Sequence, residues 1–298
     1  MGAGRPPEQA KVDALPALTP LGKKCEYWAI LGKPMNSMQP STLHYHSEHG
    51  VAWVTLDRSM AQNRVNIRMA TELHDVCQRI MQDDEVLVVV LTGTGHDFCA
   101  GDEDEVPAFG SEKPMENVAS YLEPRRAAGF LGEIEKPVVV AINGDAIGHG
   151  LEMALACDIR LAAIDARMSM PQITQGTIPW DGGTQRLPRI VGRAWATDLL
   201  LTGKLIDSHE ALRIGLVHEV SLQGQLMERA EQLASTIAAL GPIATRYAKE
   251  AILKGMDMTL DQGMRLEMDL NLLLQTTSDR AEGISSFLER RKPNFTGG

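Results

Sequence analysis

Two runs of consecutive apolar residues constrain the fold more than anything else in this chain. They are "VLVVVLTG" at 86–93 and "KPVVVAIN" at 136–143. A strand with one wet face alternates apolar and polar residues; a strand covered on both faces does not. Both runs therefore read as strands inside a sheet with layers above and below it, and "IRLAA" (159–163) reads as a third. The segment "IRMATELHDVCQRIMQD" sets Leu73, Val76, Cys77, Ile80 and Met81 on one helical stripe. A further helix is expected through the 120s and early 130s, with Pro124 near its start or at a kink. Strands and helices alternating from 51 to about 170 require parallel crossovers and an α/β architecture.

The flanks read differently. Residues 42–56 alternate around "EHG" and predict a hairpin, and 101–117 is polar and reads as a loop. After 183 the chain turns helical. Asp207, followed three residues later by Glu210, resembles a capping box. "GQLMERAEQLASTIAAL" is an amphipathic helix ended at Gly241-Pro242, and two more helices are expected over 259–277 and 279–291. The division expected is a flexible extension at 1–41, a core with the active site at 42–200, and a helical region at 201–298.

The bulk composition excludes several classes. A net charge of −10 opposes non-specific nucleic-acid binding, which needs a basic surface. Cys25, Cys77, Cys99 and Cys157 are scattered without CxxC spacing, which suits a reducing compartment and offers no zinc signature. No apolar run reaches the ~18 residues of a membrane span. The first residues, "MGAGRPPEQAKVDALPALTP", lack a signal peptide's apolar core and a transit peptide's Arg-rich, acid-poor character. A cytoplasmic protein is expected. "HYHSEH" places His44, His46 and His49 close together, and they read as half-exposed strand residues before they read as zinc ligands. Met256, Met258, Met264 and Met268 read as helical core or subunit-contact residues.

The stretch "NGDAIGHGLEMALACD" (143–158) carries the chemistry. Its glycines run G-x-x-x-G-x-G, the wrong spacing for a dinucleotide-binding turn, and no Walker Gly-Lys-Ser/Thr is present. The first N–H groups of a helix have no internal partner and carry partial positive charge. A Gly-X-Gly turn lets an acyl oxygen approach them, which makes an oxyanion hole for an enolate or a tetrahedral adduct. Glu152 sits in the same first turn among Leu151, Met153 and Leu155. Burial would raise its pKa and the helix start would lower it, a balance suited to moving a proton beside a carbonyl. The competing reading is a solvated helix-start acid. "TGTGHDFCAGDEDEV" leaves a second buried strand in the same manner, and a second N–H could come from the residues after Gly101. Two such loops converge where α/β folds bind their ligands.

These segments resemble the enoyl-CoA hydratase/isomerase family, the crotonase superfamily. The matching pieces are "VVVLTGTGHDFCAG", "KPVVVAINGDAIGHGLEMALACDIRLAA", "GTIPWDGGTQRLPRIVGRAWATDLLLTGKLIDSHEALRIGLVHEV" and "DRAEGISSFLERRKPNF", spanning about 45–295 in the family's order. The resemblance implies a crotonase-like ββα spiral core with a helical C-terminal trimerisation region, assembled as a homotrimer or a hexamer. It implies an acyl-CoA thioester substrate, with coenzyme A arriving as part of the substrate and no separate cofactor. Carried over by position, the oxyanion N–H groups belong to Asp102 and His149, framed by Ala100, Gly101, Gly148 and Gly150. Glu152 matches the first catalytic glutamate of the hydratases. CoA would lie along Arg58–Arg64, with Lys292 a candidate cation from a neighbouring subunit.

The chain departs from that pattern in four places. Gln172 stands where hydratases carry their second glutamate, and an amide is no general base. Asp102 replaces a small residue and opens the acidic run Asp102-Glu103-Asp104-Glu105, which reads by itself as a solvated loop. His149 occupies the middle of the oxyanion turn. Trp180 and Asp181 replace small residues; Trp180 would wall the acyl group or serve as core. C–C-bond hydrolases of this superfamily carry an aspartate at a similar place, so Asp181 could supply the second carboxylate. Hydration or dehydration of an enoyl-CoA is the leading expectation. A one-carboxylate double-bond isomerase, a β-diketone hydrolase using Asp181 with His149, and a non-catalytic CoA-binding paralogue are the alternatives.

Overall fold

A computed structural model describes residues 41–103 and 121–298. The expected 1–41 extension, save Ser41, and Asp104, Glu105 and the rest of the polar loop to 117 lie outside the described residues. Gln39–Gly298 form one compact unit.

The valine runs become the middle of a six-stranded sheet. In it β1 (Leu43–Glu48) pairs antiparallel with β2 (Val51–Leu56). The order continues in parallel through β3 (Val88–Gly93), β5 (Val138–Ile142), β7 (Ile159–Ala163) and β10 (Glu219–Ser221). The hairpin turns at His49 and Gly50, both left-handed at φ 51° and 78°, as a tight two-residue turn requires. Every residue of β5 is buried, as is all of β3 before Gly93. The helix α1 (Ile67–Gln82) starts where the Asn66 side chain accepts the Met69 N–H at 3.0 Å. It buries Leu73, Val76, Cys77 and Ile80.

A second sheet was not legible in the sequence because its strands have two or three residues each. It comprises β4 (Asp97–Cys99), β6 (Asp145–Ile147), β8 (Arg167–Ser169) and β9 (Ile206–Asp207), in that order. The first three run parallel. Each follows a strand of the large sheet, β3 to β4, β5 to β6 and β7 to β8, in a repeated strand–strand turn. The C-terminal ends of these three short strands lie side by side. They deliver Cys99–Asp102, Gly148–His149 and Pro171–Gln172 to one edge.

The helices diverge from expectation in several places. The segment around Pro124 is a 3-10 turn at Glu123–Arg125, followed by the short α2 (Ala127–Gly132). α3 (His149–Ala156) follows β6 directly. α4 (Gly183–Thr202) is broken at Gly192 (φ 76°, ψ 160°). Asp207 caps α5 (Ser208–Arg213), accepting the Glu210 N–H at 2.8 Å. Glu210 itself pairs with Arg213 and does not return to the cap, so the box is half formed. α6 (Leu226–Ala238) packs on β3, β5 and β7, burying Leu226, Ala230 and Ala234. With β10 at the sheet edge, core packing therefore runs past the expected boundary at 200. α7 (Pro242–Gly255) was not anticipated: Pro242 opens it at a first-turn position, where its missing N–H costs nothing. α8 (Leu260–Leu274) and α9 (Ser278–Glu289) follow.

Candidate active site

The two glycines of "GHG" do different work. Gly148 caps α3 at φ 55°, ψ −118°, a conformation that disfavours side chains. Gly150 lets the helix press against the end of β4; a Cβ there would lie 2.1 Å from the Cys99 carbonyl oxygen. Gly101, at φ 100°, turns the first loop past the Ile147 carbonyl. Close approach, not phosphate binding, is what the glycines serve.

Asp102 enters a parallel bridge with Val65, made by the Gly101 carbonyl and the Glu103 N–H at 2.8 and 2.9 Å. In such a bridge the Asp102 N–H points away from Val65, and among the described residues it donates to no backbone carbonyl. The His149 N–H opens α3 and has no intrahelical partner by construction.

Glu152 is fully buried, which overturns the solvated-acid reading. Its Oε1 accepts the N–H groups of Asp181 and Gly183, each at 2.8 Å. Its Oε2 is buried without a partner among the described residues. Burial pushes its pKa up, opposed first by the His149 charge and then by the Gly183 N–H; Asp181's charge adds to the rise. Gln172 also has a buried, unpartnered oxygen, and its amide nitrogen faces Gly148. Native proteins rarely leave such atoms unpaired, and functional sites are where they do.

His149 and Asp181 are not free to activate water. The buried imidazole bonds Asp102 through Nδ1 at 2.7 Å and Asp181 through Nε2 at 3.0 Å. An ionised carboxylate only accepts, so both ring nitrogens carry protons. Burial alone would depress this pKa, but the bonds to Asp102 and Asp181 and the surrounding negative charge raise it to about 10. The Asp181 carboxylate also accepts the Ala128 and Gly129 N–H groups at the start of α2, at 2.7 and 3.1 Å. Arg126 Nε lies 3.7 Å from it. The oxygens of Asp181, expected to be the second catalytic carboxylate, thus both accept from backbone N–H groups or the His149 ring. The half-buried Trp180 sets its ring centroid 4.9 Å from that of His149.

Other expected residues fall as follows. Arg58 pairs with Glu103 at 2.7 Å and donates to the Arg64 carbonyl, so it is not a free cation. Arg64 reaches the Asp102 carbonyl at 3.4 Å. Ala100 donates its N–H to the Gln62 carbonyl. Lys292 is exposed in the tail after α9 and is not among the side chains around Glu152. His44 is paired with Asp57, His46 stacks on Trp53, and His49 forms the hairpin turn, so the three do not converge. Among the described residues no three His, Cys, Asp or Glu side chains could jointly hold a metal, and no helix is long and apolar enough to cross a membrane. Sequence reasoning missed Ala128, Gly129 and Gly183 because their contribution is a backbone N–H. The pair Gly182-Gly183 after Asp181 was the one available signal, since a Cβ on Gly183 would meet Pro179 at 2.7 Å.

The chain is similar to known proteins along most of its length. The pattern of the enoyl-CoA hydratase/isomerase family matches residues 46–298. A putative enoyl-CoA hydratase/isomerase of Bacillus subtilis is 41% identical over 253 residues, covering 84% of this chain and 96% of that protein. A crotonyl-CoA hydratase of Syntrophomonas wolfei is 37% identical, covering 83% and 95%. The crystal structure of an enoyl-CoA hydratase from Bacillus anthracis superimposes with a TM-score of 0.81 at 35% identity, covering 87% of this chain and 100% of that one. With its paired short strands ending at a Gly-X-Gly helix start, this chain belongs to the enoyl-CoA hydratase/isomerase family, within the crotonase superfamily.

Proposed function

We propose that this enzyme adds water across the 2,3 double bond of an enoyl-CoA thioester, and catalyses the reverse elimination. The observation that carries this reading is the free, buried Oε2 of Glu152 beside the start of α3. The thioester oxygen would accept the Asp102 and His149 N–H groups, which meet the charge as the enolate forms. Glu152, ionised, would take a proton from water as the water oxygen bonds C3, then deliver that proton to C2. Water is consumed, one C–O and one C–H bond form, and the glutamate returns to its starting state. The Gln172 amide would orient the water without itself exchanging a proton. No cofactor beyond the substrate's CoA enters this scheme. The relatives named as hydratases point the same way.

A second reading is favoured by Gln172. Among the described residues Glu152 is the one carboxylate with a buried, unfilled oxygen, and a 1,3-proton shift needs only one. Mass analysis of the product in H2(18)O separates the two: hydration incorporates one oxygen, isomerisation none. β-Diketone hydrolysis loses its support, because Asp181 and His149 are both committed.

Assembly into a trimer, or a hexamer of two trimers, accords with the exposed apolar side chains along α7–α9, among them Leu253, Met256, Leu260, Met264 and Phe287. Arg64, and Lys292 from a neighbouring copy, remain the cations proposed for CoA. Light scattering coupled to size exclusion tests the assembly; a monomer would remove the Lys292 assignment with it.

A further inference from the structure

The His149 side chain is surplus to an oxyanion hole. Only the backbone N–H of that position is needed, and a glycine would supply it. Instead an imidazole is wholly buried between two carboxylates, an arrangement whose desolvation cost demands compensation. What it joins is specific. On one side is Asp102, the residue whose backbone is the other oxyanion donor, in the loop after β4. On the other is Asp181, whose own N–H orients Glu152 and whose carboxylate caps α2. Asp102 is tied to its surroundings on both sides: Val65 holds the peptides flanking it, and the ring holds its side chain. Three separate chain segments, after β4, after β6 and before α4, thus meet on one ring.

We propose that the His149 imidazole is a positioning residue for the reaction: by holding Asp102 and Asp181 together it sets both oxyanion donors and the peptide that aims Glu152. This rests on the enolate chemistry proposed above and deepens it. The ring also sits where its positive charge stabilises the ionised form of Glu152. The other charged groups facing this cluster are Asp102 and Asp181, with Arg64 on the Asp102 carbonyl oxygen, Arg126 against the Asp181 carboxylate and Arg186 on the Asp181 carbonyl oxygen.

The test uses the full-length protein and four measurements. Imidazole (15)N NMR of the free enzyme is expected to show both His149 nitrogens protonated from about pH 6 to 8. A ring that titrates as an ordinary histidine in that range overturns the proposal. His149→Gly keeps the N–H and removes the tie. It is expected to lower kcat for a short 2-enoyl-CoA about 100-fold, as loss of alignment does, with KM changed less than about threefold. The acid limb of its pH profile should move to higher pH, because Glu152 loses the neighbouring positive charge. Should that variant fail to fold, the part-exposed Asp102 decides: Asp102→Ala, which removes the acceptor of Nδ1, should lower kcat at least about tenfold more than Asp102→Asn, whose amide oxygen can still accept from it; equal losses in the two would overturn the proposal. Folded variants with the wild-type kcat and the wild-type acid limb would overturn the idea. Exchange of the C2 protons of a saturated acyl-CoA into D2O is the fourth readout. A wild type that exchanges but does not hydrate removes the hydration reading and leaves the tie to be judged on exchange. A wild type that does neither removes both.

Discussion

The backbone N–H of Asp181 donates to Oε1 of Glu152 at 2.8 Å, while the Asp181 side chain turns to the start of α2 and to His149. Two carboxylates that the sequence offers as partners in catalysis are thereby separated into one with a buried oxygen left unfilled and one whose oxygens are taken by backbone N–H groups and an imidazole. The distinction has consequences that different substitutions expose.

Glu152→Gln should lower kcat at least about a thousandfold, within the range that general acid–base groups contribute. The amide oxygen can still accept the Asp181 and Gly183 N–H groups, so thermal stability should fall little. Steady-state kinetics with a 2-enoyl-CoA and a melting curve check the pair of outcomes. Full activity in this variant would end the assignment of Glu152.

Asp181→Ala should lower stability as well as kcat, because the same side chain anchors α2 and holds the His149 ring. It leaves the Ala128 and Gly129 N–H groups and a buried imidazolium without an acceptor, and removing one partner of a buried pair typically costs ~3–5 kcal/mol. Urea denaturation measures it. A change below about 1 kcal/mol, the scale of an exposed pair, would show that Asp181 is not the anchor described.

Gly150→Ala places a methyl 2.1 Å from the Cys99 carbonyl oxygen, so close that the backbone itself must shift. α3 should shift away from β4, and a displacement of ~1 Å at an active site can cost ~100-fold in rate. The loss should appear in kcat, with the protein still folded by circular dichroism.

Stability should depend on pH through His149. Below about pH 6.5, the ordinary histidine value, the ring is protonated in folded and unfolded chains alike, and its stabilising contribution is complete. Above that, the unfolded ring releases its proton while the folded ring keeps it up to about 10. The unfolded chain then binds fewer protons, and stability declines across this window. Melting temperatures of the wild type should approach those of His149→Gly as pH rises from about 6.5 to 10. A constant gap would contradict the raised pKa.

Gln172→Leu should slow water addition about tenfold or more while leaving C2-proton exchange near wild type, because only the water needs orienting by an amide. Equal losses in both reactions would mean that Gln172 shapes the pocket and does not hold water.

The sequence by itself determined the layered core. Short valine-rich runs without alternation read as strands covered on both faces, and β3, β5 and β7 lie where those runs predicted. It also placed Glu152 at the first turn of an apolar helix and marked the glycine turn before it. It did not reveal β4, β6, β8 and β9, since strands of two or three residues carry no periodicity to read, nor α7, whose opening proline looked like the end of the preceding helix. The tertiary structure alone decided which groups Asp102, His149 and Asp181 touch. Those residues are 47 and 32 positions apart along the chain, and whether a carboxylate is free or filled depends on which donors folding brings to it. Here those donors are an imidazole and the unpaired N–H groups of a short helix.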